Sequence, residues 1–371
     1  MKKLAMMMMM LAVCLTGMAN DGVYYVNGSQ LVPAHDTNIA ITKEVLSIDL
    51  NDDGFARVDV QYEFDNRGGE KMVTMGFEAM APYNDGEKFN PGGRHPHIFD
   101  FSVVMNGEQV QYKNALMNVD DTSFTPLDMK IYRPSEYMEE GDGNQLINTK
   151  TKELVDFAYS YYFQARFKPG KNVIHHTYRY RMSNGVGRAF EVPYWLTPAL
   201  RWANHQIDDF TLRISTPTFK HFWIEQKVFQ GGQFNVISGK GKTRVAPNVD
   251  MEGHYEIALW NGTVEWHKRN FVPSDNFAII SADTYTLWND NFPSGYFYDR
   301  SDTYYPRFDG EYSEDMKRIM RNLPYANRGY VFKDKKLQDY FNKIWWYTPD
   351  PSWKQDTSDF TEREWRLIKG E

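Results

Sequence analysis

The chain has a single cysteine in 371 residues, Cys14, and it lies inside an apolar N-terminal run. The body of the protein therefore has no disulfide, no thiolate metal cluster and no cysteine nucleophile. Burial alone must hold it, which a chain of about 350 residues can do. After Leu15 no apolar stretch approaches the roughly 20 residues that a membrane-spanning helix needs. Charge of one sign is not concentrated anywhere: 42 basic residues are interspersed among 49 acidic ones, for a net charge of -7. This distribution argues against a nucleic-acid partner. Catalytic signatures are missing too, with no nucleophile elbow, no zinc-protease helix and no paired Cys and His. Gly239-Lys240-Gly241-Lys242-Thr243 ends like a phosphate-binding loop, but Val236 replaces the first glycine and no helix follows. It reads as a hairpin turn, and nothing in the sequence asks for a cofactor.

The N-terminus carries Lys2 and Lys3, an apolar run from Leu4 to Leu15, and small residues at Gly17 and Ala19. This is the pattern of a signal peptide over residues 1–19, so the protein is expected to be exported to the periplasm or beyond. Cys14 resembles a lipid-attachment residue only in part, because Val13 stands where a small residue is wanted. Aromatic residues make up 16% of the chain. Strands favour them, and a surface that stacks on sugar rings would use them as well.

Period-two alternation dominates the chain from Ile39 onward. Ile39 and Ile41, Val58 to Phe64, Val73 to Phe77 and Phe101 to Met105 all alternate, and Asn106-Gly107 marks a hairpin. Tyr159 to Phe167 and Val173 to Arg181 flank Lys168-Pro169-Gly170 and read as a central hairpin. The polar stretch from Asn114 to Lys152 reads as a long surface loop. Thr197-Pro198 starts a helical turn, and further strands recur from Phe210 to Ser281. The expected fold class is mainly β: an antiparallel β-sandwich-like domain over 20–285, a linker over 286–310 and a small α-helical domain over 311–371.

Two groups of residues invite a metal. Asp49, Asn51, Asp53 and Gly54 match the first half of a calcium loop, but Val60 fills the twelfth position, so a hairpin turn is the plainer reading. His95 and His97 alternate as zinc ligands on a strand can, with His175 or His176 as a distant third, yet no Cys or acid completes the set.

The C-terminal block is the most specific stretch. Met316, Ile319, Met320 and Leu323 follow Glu314 and Asp315, and Leu337, Tyr340, Phe341 and Ile344 follow the capping residue Asp334. Both sets recur at helical spacing. Thr361 and Glu364 form a capping box, stapled by Phe360 and Trp365, for a last helix from Glu362 to Lys369. At Asn322, Tyr325, Ala326 and Gly329, and again at Leu337, Tyr340, Phe341, Trp346, Tyr347 and Pro349, the chain resembles the small bacterial extracellular YARHG domain. Asn327 and Arg328 replace that motif's Arg and His, and Pro324 is expected to kink or break the helix it sits in. Gly76 to Ala79, His95-Pro96, Tyr161 to Gly170 and Leu196 to Asn204 resemble a second family, of secreted bacterial β-domains of unassigned function, over residues 21 to 285.

The YARHG resemblance implies a small domain outside the cytoplasm with no established activity. Taken with the export signal and the lack of cysteine and of a catalytic motif, the two resemblances lead to the expectation of an exported, non-catalytic envelope protein whose helical domain binds a cell-wall or cell-surface component, with cell-wall or surface polysaccharide as the expected partner. The candidate contacts are Tyr325, Arg328, Gly329, Tyr330, Trp345, Trp346 and Tyr347. The alternative is a hydrolase of cell-wall glycan or peptide using two carboxylates drawn from Asp156, Glu191, Asp208, Asp209 and Glu225.

Overall fold

The computed structural model describes residues 28–29, 32–33, 38–82, 89–119, 125–136, 145–185, 188–246, 253–281 and 313–371. The signal peptide with Cys14, residues 139–144 and the linker 286–310 lie outside the described residues. The first strands are β1 (Gly28–Ser29), β2 (Val32–Pro33), β3 (Ile39–Leu50), β4 (Phe55–Asn66), β5 (Lys71–Met80), β6 (Ile98–Met105), β7 (Glu108–Gln109), β8 (Lys113–Asn118) and β9 (Tyr132–Pro134). They are followed by β10 (Gln145–Asn148), β11 (Leu154–Phe167), β12 (Gly170–Arg181), β13 (Ser183–Gly185), β14 (Arg188–Trp195), β15 (Ile207–Glu225), β16 (Asn235–Val245), β17 (His254–Phe271) and β18 (Phe277–Ser281). Three helices close the chain: α1 (Glu314–Asn327), α2 (Lys335–Phe341) and α3 (Glu362–Lys369).

The strands form two sheets. The larger runs β1-β14-β18-β15-β3-β4-β12-β6-β7, with β17 and then β16 added beside β15. The smaller runs β2-β5-β11-β10-β9, with β8 on β11. Most pairs are antiparallel, while β15 with β3 and β1 with β14 are parallel. The fold is mainly β and sandwich-like, as the alternation predicts. Its core lies between the sheets, where Phe77 of the smaller sheet meets Tyr178 of the larger at 4.8 Å and Phe101 stacks on Tyr161 at 4.6 Å. At one end the 3-10 turn Thr197–Arg201 sets buried Trp202 against Phe64 at 4.6 Å. Each large side chain buried this way contributes about 1.5–3 kcal/mol.

Local turn chemistry sets several connections. Asn51 to Gly54 joins β3 to β4, with the Asp53 carboxylate accepting from Phe55 N at 3.0 Å and Gly54 at φ 78°. Asn106 and Gly107 both have positive φ, 52° and 86°, as a tight hairpin between β6 and β7 requires.

Three expectations are corrected. β11 and β12 do not pair with each other, since β11 joins β5 and β8 while β12 joins β4 and β6. Lys168-Pro169-Gly170 is the corner at which the chain crosses between sheets, held by the Asn172 amide on Lys168 and Gly170. Alternation reports which face is buried and not which strand is the neighbour, and both strands bury one face in the same core. The polar stretch 114–152 is not one loop: it contributes β8, β9 and β10, which bury Leu116 and Leu146 in a satellite core against β11. Finally, Gly239 to Thr243 is the middle of β16 and not a turn. A Cβ on Gly239, at φ 70°, would collide with the Asn261 carbonyl, so these glycines let β16 close tightly on an irregular stretch of β17. Gly239→Ala is expected to cost about 1–3 kcal/mol in urea denaturation, and Gly69→Ala, where a Cβ meets nothing within 4 Å, far less.

Candidate functional site

The long strand β15 changes character at a bulge between Thr216 and Phe219. Beyond it every residue from Phe219 to Ile224 is buried, including Lys220 and His221. A strand can bury consecutive residues only if both of its faces are covered. Phe222 and Ile224 belong to the inter-sheet core. Phe219, His221 and Trp223 point the other way, and register extends each into a row across the sheet: Phe219 with Trp260 and Lys240, His221 with Ala258 and Lys242, and Trp223 with Glu256 and Arg244.

The helical domain covers this outer face at Phe219 and His221, while Trp223 packs with Ala246, Ala278 and Ile280. Trp346 packs on Phe219 at 5.3 Å, and the Arg328 guanidinium lies 4.5 Å from the Trp260 ring. Trp345 sits between Arg244, at 4.2 Å, and His221, at 5.6 Å. Lys240 donates to the Arg328 carbonyl at 3.1 Å and pairs with the Asp350 carboxylate, and Lys242 donates to the Tyr347 carbonyl at 2.6 Å. Hydrogen bonds from Lys240 and Ser352 hold the Asp350 carboxyl down at about 2.

Within the domain, local capping fixes the helices. Ser313 caps α1, Asp334 caps α2, and Thr361 with Glu364 makes the reciprocal capping box of α3. Pro324 does not break α1, which runs on to Asn327. A proline this near the C-terminus removes one helical hydrogen bond, while Arg328 and Gly329 still donate to Tyr325 and Ala326.

Residues 294–370 match the YARHG domain. The match starts inside the expected linker and takes in all three helices. No curated protein matches the chain. Among solved structures, a Legionella pneumophila protein assigned provisionally to nutrient binding is 19% identical with a TM-score of 0.52, covering 94% of this chain and 99% of its own. That likeness shows a shared fold. An M1 zinc metallopeptidase from Deinococcus radiodurans aligns with 67% of this chain and 43% of its own at 11% identity and a TM-score of 0.24, too low for a fold argument.

The YARHG residues singled out in the sequence all lie in this domain, but in different settings. Arg328 is 2% exposed and makes a two-pronged pair with Glu364 at 2.7 and 3.1 Å. It also donates to the Pro324 carbonyl at 2.9 Å and to Asp359 at 3.2 Å, and stacks 3.9 Å from the Phe360 ring. Gly329, at φ 82°, lies so close to the Thr348 carbonyl that no Cβ fits. Trp346 and Tyr347 are buried, and the Tyr347 hydroxyl donates to the Tyr330 carbonyl at 2.6 Å. Tyr325, Tyr330 and Trp345 are half-buried. Trp345 stays at the rim of the seam. Tyr325 and Tyr330 gather with half-buried Trp353, 6.3 and 5.7 Å from its ring.

Sequence reasoning missed the sheet's half of the seam. Lys240, Lys242 and Arg244 were legible as three cations on one face of a strand, had the glycines between them not suggested a turn. The buried network of His221, Glu256 and Arg244 left no local signal. His221 Nε2 lies 2.8 Å from one Glu256 oxygen, and Arg244 donates to the other at 2.7 Å. Burial pushes the Glu256 carboxyl up, but His221 and Arg244 together outweigh it and leave it below its ordinary 4.5. A carboxyl depressed in the folded state stabilises above its unfolded value, and that contribution is lost as pH falls through the folded one. Wild type should therefore lose stability below about pH 4.5 more steeply than Glu256→Gln, as read by melting temperature against pH.

The remaining candidates have structural settings. Asp208 accepts from Asn204 and Gln206, Asp209 pairs with His267, Glu225 accepts from Ala278 N, and Asp156 is exposed on β11. Glu191 sits on β14 opposite Ile280. His95 is buried and, because burial disfavours its charge, titrates down at about 3. Its Nδ1 accepts from His97 N and its Nε2 donates to the Met80 carbonyl at 3.0 Å, so both nitrogens are engaged. Among the described residues no three of His, Cys, Asp and Glu gather in a metal-binding group.

Proposed function

We propose that this is an exported, non-catalytic binding protein whose β-sheet body holds the YARHG domain fixed and presents its half-buried rings to a cell-wall or cell-surface polysaccharide. The observation that carries this reading is the cluster of Tyr325, Tyr330 and Trp353. Its rings are neither fully buried nor scattered: Tyr325 stands on the last turns of α1, and Tyr330 and Trp353 lie on the connecting segments beside it. Preorganised aromatic faces suit the apolar faces of sugar rings and lose little conformational freedom on binding. The name of the Legionella pneumophila protein that shares the fold points to binding as well. The hydrolase alternative gains no support, because most of its five carboxylates already serve neighbouring groups.

The test is retention of the full chain on insoluble cell wall and on surface polysaccharide. Tyr330→Ala and Trp353→Ala should each reduce retention about tenfold, the size of losing one aromatic contact, when measured well below the melting temperature of each variant. Retention indifferent to both changes, or absent from the outset, contradicts the reading.

A further inference from the structure

The smaller sheet is open where β8 stops. β8 pairs with β11 from Phe157 to Tyr162, whereas β5, on the other side of β11, continues to Phe167. Among the described residues nothing pairs with β11 on the β8 side over residues 163–167. Alternate residues of an antiparallel strand direct both backbone groups to the same neighbour, so part of this stretch turns N–H and C=O away from β5. The unpaired edge borders a cleft of about 690 Å3, walled on its far side by the β6–β7 hairpin.

The two faces of the cleft differ in chemistry. Met105, Val110 and Phe163 form an apolar inner wall. On the outer face Lys113 stands opposite Tyr162, and Gln164 and Arg166 follow at every second residue, with Lys168 beyond them. Among the described residues Lys113 and Lys168 form no ion pair, and Arg166 reaches Glu70 only at 4.0 Å, with both side chains largely exposed. Glu108 is the one acid in the lining. The cleft thus combines a free strand edge, an apolar side and a cationic side.

We propose that this cleft is a strand-addition site for an extended peptide segment in which acidic and apolar residues alternate. Backbone groups of β11 would pair with the incoming strand, and alternation would send apolar side chains inward and acidic ones toward Lys113 and Arg166. The open stretch accommodates about five residues, roughly 17 Å of strand. The same cations oppose edge-to-edge pairing with a second copy of this chain, since like charges would face each other.

Fluorescence anisotropy of a labelled hexapeptide of alternating glutamate and valine, titrated with the full chain, tests the proposal. Saturable binding is expected, with no binding of the lysine–valine counterpart. Affinity should fall at least about tenfold in the double variant Arg166→Glu, Lys168→Glu, whose positions are exposed, and with a backbone N-methylated peptide that cannot pair as a strand. Three results would overturn it: no saturable binding up to about 1 mM, equal binding of the N-methylated peptide, or dimerisation of the chain through this edge that the double variant abolishes.

Discussion

Replacing Arg328 by alanine is expected to destabilise the helical domain by about 3–5 kcal/mol, because it leaves the Glu364 carboxylate buried without its partner. Glu364 is 4% exposed, and it also accepts from Thr361 N at 2.9 Å to cap α3. One side chain therefore ties α3 to the end of α1 and, through Trp260, to the sheet. Arg328→Lys should rescue little, since an ammonium cannot make the two-pronged contact or stack on Phe360 and Trp260. Arg328→Met combined with Glu364→Gln should recover a substantial part of the loss, because removing both charges removes the desolvation cost. Hydrogen exchange over residues 313–371, beside urea denaturation, would read these differences. Unchanged protection in Arg328→Ala would show that the network is not what holds the domain.

Trp346→Ala should cost a similar amount, about 3–5 kcal/mol, by opening a cavity against both Phe219 of the sheet and Phe341 of α2. Among the described residues its buried indole N–H has no hydrogen-bond partner, so Trp346→Phe should be much milder. Phe219→Ala removes only the sheet's side of the contact. If the domain docks as described, Trp346→Ala and Phe219→Ala will be coupled by about 0.5–1.5 kcal/mol in a double-mutant cycle, and additive behaviour would mean that the two rings do not meet in solution.

Much of the fold was legible in the sequence because local rules decide it. The strands follow from alternation, the Asn106-Gly107 hairpin from turn chemistry, and the three helices from Asp334, Thr361, Glu364 and the apolar spacings. What was not legible depends on partners far along the chain. Lys168 to Gly170 looked like a hairpin because alternation around it is regular on both sides, yet each strand pairs with a different sheet. The glycines at 239 and 241 looked like a turn, whereas their role is close approach to β17. Arg328 looked like a surface contact because a charged side chain is rarely buried, and its partners lie 31 and 36 residues downstream. The one local hint of the seam was the run from Phe219 to Ile224, nearly continuous in large side chains where a one-faced strand would alternate.

The seam also bears on function. Arg328, Gly329, Trp346 and Tyr347 build and dock the helical domain, whereas Tyr325, Tyr330 and Trp353 stay half-buried beside one another, which is why the proposed binding role rests on them. In that proposed role, a module fixed to its carrier would meet its ligand in one orientation, and the ordering cost of binding would fall accordingly.

Zero-length carbodiimide cross-linking of the full chain, followed by mass spectrometry, tests the docking most directly. Lys240 on β16 and Asp350 beyond α2 form an ion pair whose side chains remain 30% and 20% exposed, accessible to the reagent. The docked arrangement should give an intramolecular amide between Lys240 and Asp350 at high dilution. Its absence, in a sample where the exposed pair Lys227 and Asp275 links readily, would contradict the docked arrangement.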